Sequence, residues 1–148
     1  MKKVGLIGIL ALLLAAPAWA QAVATQTEAS QVVIEVIRDL SDETWGLLTP
    51  EKAVEFIESL NPFILDVRTP KEWAETGTLP GAVRITLTEL DKHLDKLPPK
   101  NRPVLVYCKA GLRGELALVY LKTLGYANVK NLKGGITAWL NAGLPVEK

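Results

Sequence analysis

The stretch that most restricts the fold is Val104-Leu-Val-Tyr-Cys-Lys-Ala-Gly-Leu-Arg-Gly114, with Glu115-Leu-Ala-Leu-Val-Tyr-Leu-Lys-Thr-Leu124 behind it. Val104 to Tyr107 predicts a short strand buried on both faces. Lys109 to Gly114 predicts a tight loop, and Ala117, Tyr120, Leu121 and Leu124 share one face of the helix that follows. The only cysteine, Cys108, therefore stands where a strand hands over to a helix. At the carboxyl edge of an α/β sheet, helix N–H groups without helical partners converge on such a position.

That position favours an anion. An aligned helix dipole stabilises negative charge at its N-terminus by about 0.3–1 kcal/mol, which alone leaves a thiolate short of donors. The amides of Lys109, Ala110, Gly111, Leu112, Arg113 and Gly114 supply more if the loop curls around the sulfur, as Gly111 and Gly114 permit sterically. Lys109 and Arg113 add positive charge. The alternative is a buried cysteine acting as a small hydrophobe; a loop carrying glycine and charge favours the reactive reading.

Residues 1–20 read as a secretory signal: Lys2 and Lys3, an apolar run from Val4 to Ala15, Pro17, then Ala18-Trp19-Ala20 as a cleavage site. The run is short for a membrane span, so export without a lasting anchor, to the periplasm, is the expectation. Without Lys2 and Lys3 the chain keeps 15 of its 17 basic residues against 16 acidic ones, a net charge of −1 that gives no footprint for nucleic acid. One cysteine allows no internal disulfide, so packing alone must hold the fold.

Residues 21–43 read as an extension with a short amphipathic helix from about Glu28 to Leu40, and 44–148 as one domain. Trp45 to Leu48 suits an edge strand. Thr49 and Pro50 open a helix that Asn61-Pro62 ends near Leu60, with Ala53, Phe56 and Ile57 inward. Phe63 to Val67 and Ala82 to Ile85 predict strands, and Thr69-Pro70 a short helix between them. Thr88 is expected to cap a helix reaching about Leu97. Val129 to Leu132 predicts a last strand, and Gly134-Gly135 leads into a terminal helix around Trp139. This alternation predicts an α/β fold, its central sheet mainly parallel with helices on both faces.

Three blocks of the chain resemble the rhodanese (thiosulfate sulfurtransferase) family, as a single-domain exported member. They are Leu65-Asp-Val-Arg-Thr-Pro-Lys-Glu-Trp73 with Gly77-Thr-Leu-Pro-Gly-Ala82, then Val106 to Arg113, then Gly125-Tyr-Ala-Asn-Val129 with Leu132-Lys-Gly-Gly-Ile-Thr-Ala-Trp139 and Ala142-Gly-Leu-Pro-Val146. The resemblance implies a rhodanese-like fold and a Cys108 that takes a sulfane sulfur from thiosulfate or a similar anion. The resulting persulfide would pass its sulfur to cyanide, a thiol or a thioredoxin-like protein. Lys109 to Gly114 would cradle the persulfide, with Arg113 and Lys109 holding the donor. Asp66, Arg68 and Glu72 match positions that brace the sheet edge, and Trp73 and Trp139 read as core. The chain departs from the family at Thr78, usually His, at Gly114, often Ser, and at Arg84 and Thr86, more usually Asn and Pro.

A Cys-dependent phosphatase is the nearest rival in chemistry, but its loop carries one more residue between Cys and Arg than separates Cys108 from Arg113. His93, the only histidine, lies in a polar run that reads as a solvated helix face rather than as the base of a Cys/His hydrolase. No His/Cys cluster suits zinc, and no P-loop or Gly-x-Gly-x-x-Gly appears, so no cofactor is expected. A non-catalytic module that binds a sulfur species or a partner on this scaffold is the other alternative.

Overall fold

Val104–Tyr107 (β4) is the middle of the sheet, and every one of its residues is buried. The computed structural model describes residues 17–39 and 46–148. Around β4 run Leu47–Leu48 (β1), Phe63–Asp66 (β2), Val83–Arg84 (β3) and Val129–Leu132 (β5) in the order β1-β5-β4-β2-β3, all pairs parallel. The helices of this unit are Pro50–Leu60 (α2), Pro70–Thr76 (α3), Leu112–Thr123 (α4) and Gly135–Asn141 (α5).

Side chains alternate along a strand, and β4 sends Val104, Val106 and then Cys108 to one face, Leu105 and Tyr107 to the other. The first face packs on Ala117, Leu118 and Leu121 of α4, the second on Ala53 of α2 and Ile136 and Trp139 of α5. Helices on both faces explain why β4 is apolar throughout instead of alternating with polar residues.

Local signals account for several boundaries. Thr49 accepts from Lys52 N at 3.4 Å and Pro50 opens α2, whose end is Asn61 at φ 43°, a conformation Asn tolerates. Thr69 and Glu72 form a reciprocal capping box at the start of α3.

Four expectations change within this unit. The helix predicted to follow Thr88 is a 3-10 helix, Leu87–Lys96, kinked at His93. Leu87 and Leu90 are three apart, the spacing that eclipses in a 3-10 helix, and only Leu90 is fully buried. His93 itself is half-buried at the kink rather than on a solvated face. α4 begins at Leu112, so Leu112, Arg113 and Gly114 form its first turn rather than the end of a loop. Trp139 is core at 3% exposure, but Trp73 is only partly buried, because the short α3 buries no residue.

Among the described residues, the N-terminal unit holds the helix Ala18–Asp39 (α1), which starts ten residues earlier than predicted. Its alanine-rich first half has high intrinsic propensity, which outweighs the weak apolar periodicity there. Residues 1–16 and 40–45, including most of the predicted signal, Leu40 and Trp45, lie outside the described residues. Among the described residues no helix is long and apolar enough to cross a membrane.

Candidate active site

Cys108 follows β4 directly and is 2% exposed, its sulfur on the α4 side of the sheet. The Sγ atom accepts a hydrogen bond from the Gly111 N–H at 3.1 Å. Gly111 stands at the N-cap of α4 with φ 116°, a conformation that a side chain would strain. The expected loop thus becomes a hairpin-tight turn whose amide reaches back to the sulfur.

The outer side of the turn is fixed by α5. Ile136 N donates to the Cys108 carbonyl at 2.9 Å, and Thr137 donates to the Lys109 carbonyl through N at 3.1 Å and Oγ1 at 2.9 Å. A trans peptide carries its C=O and N–H on opposite edges, so the N–H groups of Lys109 and Ala110 face away from α5. Gly135 makes this approach possible: a Cβ there would overlap the Cys108 carbonyl oxygen.

Arg113 projects from the first turn of α4 to Glu72, donating from Nη1 at 2.8 Å and Nη2 at 2.6 Å. Glu72 Oε2 also accepts from Thr69 N at 3.0 Å and Thr69 Oγ1 at 2.9 Å. The Arg113 hydrogen bonds, with those from Thr69, hold the Glu72 carboxyl down at about 2 against a desolvation that works the other way. The Arg113 guanidinium is in turn raised, chiefly by Glu72 and also by the Cys108 sulfur beside it. The ion pair therefore stands next to the thiol and is charged through the physiological range.

Asp66 and Arg68, at 0% and 1% exposure, form a second, deeper pair. Arg68 donates to both Asp66 oxygens, to the Gly77 carbonyl at 2.6 Å and to Thr76 Oγ1 at 2.7 Å, and lies 5.6 Å from the Tyr107 ring centre. Burial penalises the Arg68 charge, but the Asp66 carboxylate more than offsets this and raises the group. Burial pushes the Tyr107 hydroxyl far above its ordinary value, so it stays neutral while accepting from Leu79 N at 2.9 Å. This pair braces the sheet edge, as its position in the sequence suggested.

Lys109 and Ala110 are exposed on the rim, and Leu112 is 71% exposed. A cavity of about 60 Å³ opens beside Lys109, between Glu72 and Glu75 of α3 and Thr137 and Leu140 of α5. It has room for roughly two water molecules and suits a small polar group. Among the described residues no group of His, Cys, Asp or Glu is arranged to hold a metal ion.

Two departures from the family pattern meet in space: Arg84 Nη2 donates to Thr78 Oγ1 at 3.2 Å. Thr78 also exchanges backbone hydrogen bonds of 2.8 Å with Glu147. Sequence reasoning missed Thr137 and Asn131, whose Nδ2 donates to the Gly111 carbonyl at 3.1 Å. An Asn in a buried strand is unfavourable, and that was the available signal.

Residues 49–142 match the Rhodanese-like domain family. A sulfurtransferase of Allochromatium vinosum is 40% identical over 83 residues, covering 56% of this chain and 76% of the relative. The thiosulfate sulfurtransferase GlpE of Actinobacillus succinogenes is 32% identical, with 68% of this chain and 88% of that protein covered. Other relatives are much longer; of the adenylyltransferase and sulfurtransferase UBA4 of Meyerozyma guilliermondii only 19% is covered. Among solved structures, a rhodanese-related protein from Thermoplasma volcanium is similar with TM-score 0.62 and 28% identity, covering 70% of this chain and 98% of that one. Matched across most of its sheet and through the turn that carries Cys108, the chain belongs to the rhodanese-like family.

Proposed function

We propose that this chain transfers a sulfane sulfur through a persulfide on Cys108. A sulfurtransferase-type function follows from the family and its relatives. The observation that carries the finer reading is the Gly111 N–H directed onto the Cys108 sulfur at the head of α4, with the Arg113 guanidinium alongside. Backbone donors placed where negative charge resides need no reorganisation when the charge develops.

In the donor step the Cys108 thiolate attacks the outer sulfur of thiosulfate. A sulfur–sulfur bond forms to Cys108, the old one breaks, and sulfite leaves with its electron pair. In the acceptor step cyanide, or a thiolate, attacks the terminal sulfur of the persulfide; thiocyanate or a new persulfide leaves, and the Cys108 thiolate returns. With both Nη atoms of Arg113 held by Glu72, Lys109 is the exposed cation on the rim that meets an anionic donor. The same engagement disfavours a phosphatase, which needs a free guanidinium fork for phosphate.

We place the mature enzyme outside the cytoplasm, on the strength of the basic, then apolar, then Ala18-Trp19-Ala20 pattern. Intact-protein mass spectrometry tests both readings. Incubation with thiosulfate should add about one sulfur atom (~32 Da), lost again with cyanide and never gained by Cys108→Ser. No gain on an alkylatable Cys108 would leave a binding module. Protein recovered from a periplasmic extract should have the mass of a chain beginning at Gln21; a chain retaining Met1 would refute export.

A further inference from the structure

Asn131 is 0% exposed in the middle of β5. Its backbone pairs with β1 and β4 at Leu47 and Val106, so the sheet has no need of its side chain. Burying a carboxamide costs about 1–3 kcal/mol for each polar atom left unpaired. Here Oδ1 has no partner among the described residues. An apolar residue would serve the strand better, so the gain must come from Nδ2.

Nδ2 donates to the Gly111 carbonyl at 3.1 Å. That oxygen already accepts from Glu115 N at 3.0 Å in the first turn of α4. The second hydrogen bond therefore does not rescue an orphan acceptor; it fixes a direction. Gly111 is where direction matters, because its own N–H lies on the Cys108 sulfur and its φ of 116° is one that glycine enters and leaves freely. One end of the residue addresses the sulfur and the other is clamped by Asn131.

Gly114 completes the arrangement. A Cβ at this position would overlap Asn131 Oδ1, and its three nearest atoms would all belong to the Asn131 side chain. The missing side chain is thus the room in which the carboxamide sits.

We propose that Asn131 is a positioning residue for the reaction at Cys108: it clamps the Gly111 carbonyl so that the Gly111 N–H stays on the sulfur, in space that Gly114 leaves open. The proposal rests on the sulfur-transfer reading for its role, but its geometry can be tested without a sulfur donor.

Asn131→Leu keeps the volume and removes the donor. Gly111 keeps Glu115, and an unpartnered buried oxygen is gone, so the melting temperature should hold or rise. The kcat for thiosulfate-to-cyanide transfer should fall about five- to tenfold, the worth of one hydrogen bond, with KM for thiosulfate within twofold. Alkylation of Cys108 by iodoacetamide should slow by the same factor. If wild type alkylates but transfers no sulfur, the functional reading falls while the alkylation comparison still judges Asn131. Gly114→Ser should lose stability and rate in the wild-type background; adding Asn131→Ala, where its hydroxyl has room, should restore the stability but not the rate, because the clamp on Gly111 is then gone. Unchanged alkylation and kcat in Asn131→Leu, a melting temperature that falls with the rate, or a harmless Gly114→Ser would each overturn the proposal.

Discussion

Two segments leave the carboxyl ends of neighbouring strands, β2 and β4, at the same level of the sheet, since Asp66 pairs in register with Tyr107. They are built in opposite ways. From Asp66 to Glu72 the segment is held by charged and hydroxyl side chains: Arg68 on Asp66, Thr76 and Gly77, and Glu72 on Thr69 and Arg113. From Cys108 to Gly111 and on into α4 the segment is held mostly at its own main chain: α5 amides and the Thr137 hydroxyl donate to its outer carbonyls, Asn131 to the Gly111 carbonyl, and the Gly111 N–H to the sulfur inside. Side chains in a fixed lattice make a frame. Donors aimed at the main chain and at the sulfur make a cradle around Cys108.

The contrast predicts different failures. The largest effect should come from Arg68→Leu, which leaves the fully buried Asp66 carboxylate without its counter-ion; unfolding in urea should show a loss of about 3–5 kcal/mol. A loss under 1 kcal/mol would mean that the frame does not depend on this pair.

Next is Glu72. Its carboxyl sits near 2 in the folded chain against an ordinary 4.5, so the stability it contributes is fully present above about 4.5 and is lost as pH falls through about 2. Its ceiling is roughly 3 kcal/mol at neutral pH. Glu72→Gln should therefore be less stable than wild type at pH 7 and converge with it near pH 2; parallel pH profiles would break the assignment.

The smallest effect on stability should come from the main-chain side. Gly111→Ala has room for its methyl, with the nearest atom 3.7 Å away, but must hold φ near 116°. A cost of about 1–3 kcal/mol is expected. Transfer should nevertheless fall far more than in Glu72→Gln, because the donor to the sulfur moves. Equal losses in the two variants would erase the distinction between frame and cradle.

What could be read from the chain beforehand follows the same division. β4, and β2 up to Asp66, were legible because a strand covered on both faces is an unbroken apolar run, and Thr49-Pro50 and Thr69-Pro70 mark helix starts by local chemistry alone. The Cys108 turn was legible as a turn from Gly111 and Gly114. Its partners were not: Glu72 reaches Arg113 across 41 positions, and Asn131 reaches Gly111 across 20. No local pattern encodes a contact of that span. The 3-10 helix was misread because one buried leucine, Leu90, anchors it, too little to separate a repeat of three from one of 3.6.

The close approach of Gly135 to the Cys108 carbonyl has a consequence for the order of events during synthesis. The turn around the sulfur cannot take its final shape from residues 108–114 alone, because the carbonyls of Cys108 and Lys109 wait for Ile136 and Thr137. A nascent chain that has already emerged through α4 still carries a thiol without its finished surroundings. The surroundings of the Cys108 sulfur are thus complete only once α5, which follows β5 in the chain, has been made and has packed on the turn.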